Sequence, residues 1–132
     1  MKQYVLDSSA LIGFLEGRPG SDKVEQILVK AAEAKRPVLI SSASWGEVYF
    51  ALWRSDGHEV AEQRLRQIDQ LPIEVVELDI STSQSAGRLA ALCALSYASC
   101  LAAGLAERKK AILVTADRAA DRMLEYVNVL LL

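Results

Sequence analysis

Short apolar runs along the chain end on carboxylates. Tyr4-Val5-Leu6 is closed by Asp7, and Ile112-Leu113-Val114-Thr115-Ala116 by Asp117. Glu47 stands in Ser44-Trp45-Gly46-Glu47, soon after the apolar run Val38-Leu39-Ile40. A short apolar run with a polar group at its carboxyl end is the pattern of a buried parallel strand. That edge is where open α/β sheets place their sites. Three carboxylates from separated segments could converge there and hold a divalent cation.

The same patterning predicts the remaining elements. Tyr4 to Leu6 reads as a first strand, and Ser8 to Glu16 as a short helix stopped by Gly17-Arg18-Pro19-Gly20. Val24, Ile27, Leu28 and Ala31 recur at helical spacing in a helix from Ser21 to Lys35. Val38 to Ile40 is a second strand. Ser44 is placed as the cap of a helix reaching about Arg54, and Asp56-Gly57-His58 turns into another from Glu59 to Gln70. A third strand follows at Glu74 to Glu77, then helices over Ser81 to Leu95 and Tyr97 to Glu107 with a break near Ser96. Ile112 to Thr115 is the fourth strand, Arg118 to Glu125 a helix, and Val127 to Leu131 the fifth strand. Strands alternating with helices predict an α/β three-layer sandwich around a central, mostly parallel sheet of about five strands. No linker, repeat or low-complexity stretch divides the chain, and one domain over residues 1–132 is expected.

Composition excludes several classes. At 52% hydrophobic and 24% charged residues, the chain is globular in character and not disordered. No apolar stretch approaches the roughly 20 residues a bilayer crossing needs. The opening Met1-Lys2-Gln3-Tyr4 lacks the apolar core of a signal peptide, so a cytoplasmic location is expected. Cys93 and Cys100, seven residues apart in an apolar helical stretch, read as core thiols set too far apart to bridge. The formal charge of −2 decides nothing about nucleic acid, because an acidic cluster offsets a local basic surface.

Each carboxylate also has a plain structural reading. Asp7 and Asp117 could be helix N-caps, and Glu47 could close a capping box with Ser44. Jointly those readings weaken, because Asp7 and Asp117 both end core strands. Glu47 also lies off the bulky stripe Trp45, Val48, Tyr49 and Leu52, on a face shared with Ala43 and Ala51. His58, the only histidine, sits in a turn and reads as solvated, so histidine-based catalysis has little support. No Cys/His spacing suggests zinc, and no glycine-rich phosphate loop is present. Ser8, Ser9 and Thr115 are cap or strand-end residues whose hydroxyls could orient Asp7 or Asp117 or hold a metal-bound water.

At these residues the chain resembles the PIN domain family, the metal-dependent ribonuclease fold of VapC-type toxins. The likeness rests on Tyr4-Val5-Leu6-Asp7-Ser8-Ser9-Ala10-Leu11, Ser44-Trp45-Gly46-Glu47-Val48, Leu95-Ser96-Tyr97-Ala98-Ser99-Cys100-Leu101-Ala102-Ala103 and Leu113-Val114-Thr115-Ala116-Asp117, in order along essentially the whole chain. It implies hydrolysis of RNA phosphodiesters with Mg²⁺ (or Mn²⁺), which takes oxygen ligands and activates a water for in-line attack. It implies that Asp7, Glu47 and Asp117 are catalytic, with Asp7 and Asp117 holding the ion and Glu47 holding or deprotonating a water. In family members that cleave RNA, the Tyr-Ala dipeptide is normally followed by a metal-ligand aspartate. Here that position is Ser99.

Two carboxylates about 5 Å apart repel by roughly 3 kcal/mol at an effective dielectric of 20. Serine in place of a fourth acid relieves some repulsion and weakens the hold on an ion. Three readings follow. The first is an RNA-cleaving toxin held in check by a small antitoxin protein. The second is a weakened or silent PIN fold that binds RNA or a partner through the same groove. The third, a small-molecule-binding α/β domain, lacks a phosphate loop and ranks last. The aromatic load of Trp45, Tyr49, Phe50 and Trp53 on one helix adds an expected two-fold homodimer, and no membrane partner is expected.

Overall fold

The computed structural model describes residues 2–132, and the expected start of the domain at Met1 lies outside them. Five parallel strands run β1 (Tyr4–Leu6), β2 (Val38–Ser41), β3 (Ile73–Val76), β4 (Ile112–Thr115) and β5 (Val129–Leu131). Their spatial order is β3-β2-β1-β4-β5. Tyr4, Val5 and Leu6 of β1 pair with Ile112, Leu113 and Val114 of β4 on one side, and Val5 and Leu6 with Leu39 and Ile40 of β2 on the other. The three-residue strand β1 persists at the centre because Val5 and Leu6, on opposite faces, are both fully buried.

Alternation along the strands sorts the helices into two layers. Val5, Leu39 and Leu113 point into one core with α5 (Ile80–Cys93) and α6 (Leu101–Lys109), through Ala86, Leu89, Ala103 and Leu105. Leu6, Val38, Ile40 and Val114 point into the other, with α1 (Ser8–Leu15), α2 (Ser21–Ala34), α3 (Ser42–Asp56) and α4 (His58–Ile68). This is the expected three-layer α/β sandwich. Among the described residues no single helix is long and apolar enough to cross a membrane.

The α5–α6 pair approaches closely at one glycine. A Cβ on Gly104 would lie 2.8 Å from the Ala86 nitrogen and 3.0 Å from the Thr82 carbonyl oxygen, so only a hydrogen fits between the backbones. That fit fixes how α6, and the turn that feeds it, sits against the sheet edge.

Several expected boundaries shift for local reasons. The cap of α3 is Ser41, not Ser44: the Ser41 hydroxyl accepts the Ser44 amide at 3.0 Å. The expected single helix from Tyr97 to Glu107 is a 3₁₀ turn, Ala98–Cys100, leading into α6. It follows a chain reversal begun by Ala94 in the left-handed conformation (φ 55°), which bears out the break near Ser96. The expected helix after Asp117 is a 3₁₀ segment, Arg118–Met123, in which the Ala120 amide bonds the Asp117 carbonyl. β5 begins at Val129 and not Val127, because the Val127 side chain is buried in the α5–α6 core. β3 starts one residue earlier than expected, at Ile73 opposite Val38.

The thiols also need a new reason. Cys93 ends α5 and Cys100 ends the 3₁₀ turn beyond the reversal, so no continuous helix separates them. Both are free and buried in one core cluster. Burial, and then the neighbouring Cys93, push the Cys100 thiol above its ordinary pKa.

Candidate active site

With β1 central, the chain crosses to β2 and β3 on one side and later to β4 and β5 on the other. The order reverses between β1 and β4, and an open α/β sheet forms its crevice at the carboxyl ends of such a pair. Asp7 follows β1 and Asp117 follows β4. The Asp7 amide extends the ladder by donating to the Val114 carbonyl at 3.2 Å.

A cleft of about 170 Å³ opens at this edge. Asp7, Glu47, Ser99 and Asp117 all line it, with Ser8, Ser9 and Ser44 between them and Ala98 and Ala102 beside Ser99. A smaller hollow adjoins it, sharing Asp7, Ser99 and Asp117, with Thr115 and the apolar Leu95, Leu113, Ala120 and Met123 in its walls. The three carboxylates and the serine therefore share one wall-to-wall space, while His58 lies elsewhere, stacked on Trp53 with ring centroids 4.4 Å apart.

Asp7 is the most tightly held of the four. Its Oδ1 accepts the Ser9 hydroxyl at 2.6 Å and the Ala10 amide at 2.9 Å, and its Oδ2 accepts the Thr115 hydroxyl. Both hydroxyls are anchored in turn: Ser9 Oγ accepts the Ala116 amide at 2.9 Å, and Thr115 Oγ1 accepts the Asp117 amide at 3.0 Å. The network stitches the end of β1 to the end of β4 and fixes the Asp7 carboxyl plane.

Its environment is nonetheless unfriendly to charge. Burial raises the Asp7 pKa above its ordinary value, against the lowering effect of Ser9, Thr115 and the Ala10 amide, and the Asp117 charge adds to the rise. Glu47 moves the same way, through desolvation first and the Asp7 charge second, with the Ser8 hydroxyl opposing. Among the described residues no ion pair engages Asp7, Glu47 or Asp117. Negative charge is thus concentrated in a cleft that offers it no cationic side chain.

The plain readings of the acids hold in part. Asp7 does cap α1, and Asp117 Oδ1 caps the 3₁₀ segment by accepting the Ala119 amide at 2.9 Å. Those roles use Asp7 Oδ1 and one Asp117 oxygen. Glu47 takes no part in a capping box, because α3 starts two residues before Ser44 and Glu47 lies in its second turn, facing the cleft. Ser99 lines the cleft but its hydroxyl is bonded to Ser96 Oγ at 2.7 Å, and its amide donates to the same Ser96 oxygen at 3.2 Å.

Sequence reasoning missed Ser44, Ala98 and Ala102 as lining residues. Ser44 stands three residues before Glu47 and Ala102 three after Ser99, so one turn of helical periodicity from each candidate carried the signal.

In sequence, residues 4–125 match the family model of the PIN domain. No curated protein matches the sequence. Solved structures share the fold. The DNA-bound VapBC from Salmonella typhimurium superposes with a TM-score of 0.75 at 16% identity over 98% of each chain. VapBC2 from Rickettsia felis, bound to a promoter DNA fragment, gives 0.76 at 16% identity, again over 98% of each. VapC20 of Mycobacterium tuberculosis, a toxin that cleaves the sarcin-ricin loop, gives 0.64 at 16% identity over 92% of this chain and 94% of that one. With the family model covering nearly the whole length and its acidic positions gathered at the sheet's switch point, this chain belongs to the PIN domain family.

Proposed function

We propose that the protein is a toxin-type endoribonuclease that hydrolyses RNA phosphodiesters with a divalent cation at the Asp7–Asp117 edge. The observation that carries this reading is the convergence of Asp7, Glu47 and Asp117 on one cleft with no cationic partner. The donor set fits Mg²⁺ or Mn²⁺. All of its donors are hard oxygens, and among the described residues no three acidic, histidine or cysteine side chains are gathered closely enough to hold a metal by themselves. An ion that keeps several waters, binds one or two carboxylates and completes its shell with substrate phosphate suits such a site.

When bound, the ion would neutralise charge on the scissile phosphate and acidify the attacking water. The chain supplies the rest. Asp7, its plane fixed by Ser9 and Thr115, and Asp117 offer the two direct ligands. Glu47, whose carboxyl is pushed upward by burial and by Asp7, is poised across the cleft to accept a proton from the attacking water at its carboxylate. Ser99 offers a neutral hydroxyl, which makes the hold on the ion weak until substrate arrives.

The fold neighbours include VapBC complexes, and the partner that fits a small toxin of this kind is an antitoxin protein closing the same groove. A short upstream reading frame encoding a DNA-binding protein would support it. We also assign a homodimer through α3, on which Phe50 is 61% and Trp53 47% exposed beside an apolar hollow floored by Gly46. One observation favours a second reading: Ser99 stands where an acid would complete the set and spends its hydroxyl on Ser96. A cleft so depleted would bind RNA without cutting it.

The test is cleavage of a structured RNA by the purified protein in Mn²⁺ and in chelator. Cleavage in Mn²⁺ alone, abolished in Asp7→Asn, is expected. Intact RNA under both conditions, with RNA binding retained, gives the second reading.

A further inference from the structure

A second hollow of about 220 Å³ adjoins the acidic cleft at Ser9 and Ala116 and is walled by Gly13, Phe14, Arg18, Pro19, Ser21 and Leu132. The two spaces share Ser9, whose hydroxyl lies on Asp7 and accepts the Ala116 amide, and Ala116 of the second hollow directly precedes Asp117 of the first. The chemistry changes at that junction: hydroxyls and carboxylates give way to a half-buried Phe14 ring, the Pro19 ring and an exposed guanidinium.

We propose that this second hollow is a nucleotide subsite, which receives the base of the residue flanking the scissile phosphate of single-stranded RNA while Arg18 holds the next phosphate. This rests on the ribonuclease reading above and gives it a substrate path. Sequence-tolerant recognition of unpaired RNA uses flat apolar or aromatic surfaces for bases and Arg for the backbone, and both line a hollow that shares Ser9 with the acidic cleft. Arg18 is available for that role. Its present partner is Glu16, two residues away at 3.1 Å, with the two side chains 59% and 41% exposed. A surface pair of that kind adds little and yields readily to a phosphate.

Gly13 gives the hollow its depth. It lies within α1, and a Cβ there would meet the Arg18 Cβ at 3.8 Å, an ordinary contact. A larger side chain at 13 would project into the space without straining the helix.

The experiment titrates a fluorescein-labelled single-stranded oligoribonucleotide into the protein in chelator, where neither cation nor cleavage enters. Gly13→Leu should weaken binding by about fivefold or more, the scale of one lost stacked base. Arg18→Ala should also weaken it and lower the salt slope by about 0.7, as one lost phosphate contact requires. An oligonucleotide abasic at one position should lose affinity for the wild type and lose little more for Gly13→Leu. Wild-type-like binding by both variants, or no binding by the wild type, overturns the subsite and leaves the hollow to another occupant such as a peptide. Cleavage in Mn²⁺ is read separately. If the binding differences hold and no cleavage occurs, the catalytic reading falls and the subsite stands. If cleavage occurs and binding is unaltered, the subsite alone falls.

Discussion

Thr115 donates its hydroxyl hydrogen to Oδ2 of Asp7 across 108 residues of sequence. Thr115 Oγ1 in turn accepts the Asp117 amide, so the one buried Thr115 side chain fixes the position of both strand-end acids. Asp7 reads as a surface cap in isolation. In the fold it is the centre of a lock between β1 and β4.

Thr115→Val tests that lock, since it keeps the shape and removes both hydrogen bonds. A buried network that loses one member leaves its partners unsatisfied, at about 1–3 kcal/mol. We expect a loss of stability on that scale in urea unfolding and, in Mn²⁺, a loss of cleavage larger than destabilisation alone gives. Unchanged stability would show that the hydroxyl is dispensable.

The acid at position 7 should cost stability where it is charged. Its folded pKa is raised above the ordinary 3.8, so the folded state holds its proton more tightly than the unfolded chain. The stability this group contributes is fully present below pH 3.8 and is lost as the pH rises through the folded value. Asp7→Asn keeps an acceptor for Ser9, gives up the one that takes the Thr115 hydroxyl, and cannot ionise. The lost bond is a constant cost, so the sign is read from the trend: in chelator the melting temperature of the variant relative to the wild type should rise as the pH climbs from 4 to 7. A relative stability that stays flat or falls over that range would contradict the sign.

Gly104→Ala would place a methyl 2.8 Å from the Ala86 backbone nitrogen. Alanine gains about 1 kcal/mol in a helix over glycine, but the two backbones must part, and overpacking of this kind typically costs about 1–3 kcal/mol. We expect net destabilisation in denaturant titration, accompanied by weaker RNA binding as α6 and the 3₁₀ turn before it carry Ala102 and Ser99 away from the cleft. A net gain in stability would mean that α5 and α6 yield freely.

The proposed homodimer would bury the exposed ring of Phe50. Sedimentation at roughly 50 µM should give a dimer for the wild type and a monomer for Phe50→Asp, as burial of a charge at a micromolar interface predicts. A monomeric wild type would sink the homodimer. The edge-on contact of Tyr49 with Trp53, 5.6 Å between centroids, would then be an ordinary surface cluster.

Most of the fold was legible because the strands are short apolar runs and the helices carry strong periodicity. Asp7 and Asp117 were readable because strand ends in a parallel sheet are geometric landmarks. Glu47 was readable because its helix face is free of bulky residues. The failures have a common cause, local hydrogen bonding that a periodic pattern does not encode. Ser41 and Ser44 are both serines within one turn, and only the direction of the Ser41 hydroxyl decides which caps α3. Arg118–Met123 has helical spacing, but Asp117 closes it into a 3₁₀ turn. The reversal at Ala94 needs a left-handed residue that is not glycine, and alanine gives no warning of it. The Phe14–Arg18 hollow was invisible to motif reading, because its walls gather α1, the turn after it, Ala116 and Leu132 from distant parts of the chain and carry no acidic side chain.

Ser99 offers the most direct test of the claim that this cleft is a cation-dependent ribonuclease site. Ser99→Asp adds a carboxylate beside Asp7 and Asp117 where the wild type has a hydroxyl bonded to Ser96. The measurement is Mn²⁺ titration and RNA cleavage, side by side, for the wild type, Ser99→Asp and the Asp7→Asn/Ser99→Asp double variant. The account predicts that Ser99→Asp binds Mn²⁺ more tightly by about 1–3 kcal/mol and cleaves faster. It also predicts a lower melting temperature in chelator that Mn²⁺ restores by mass action, and loss of the gain in the double variant. Unchanged Mn²⁺ affinity, cleavage and chelator-state stability in Ser99→Asp would contradict it.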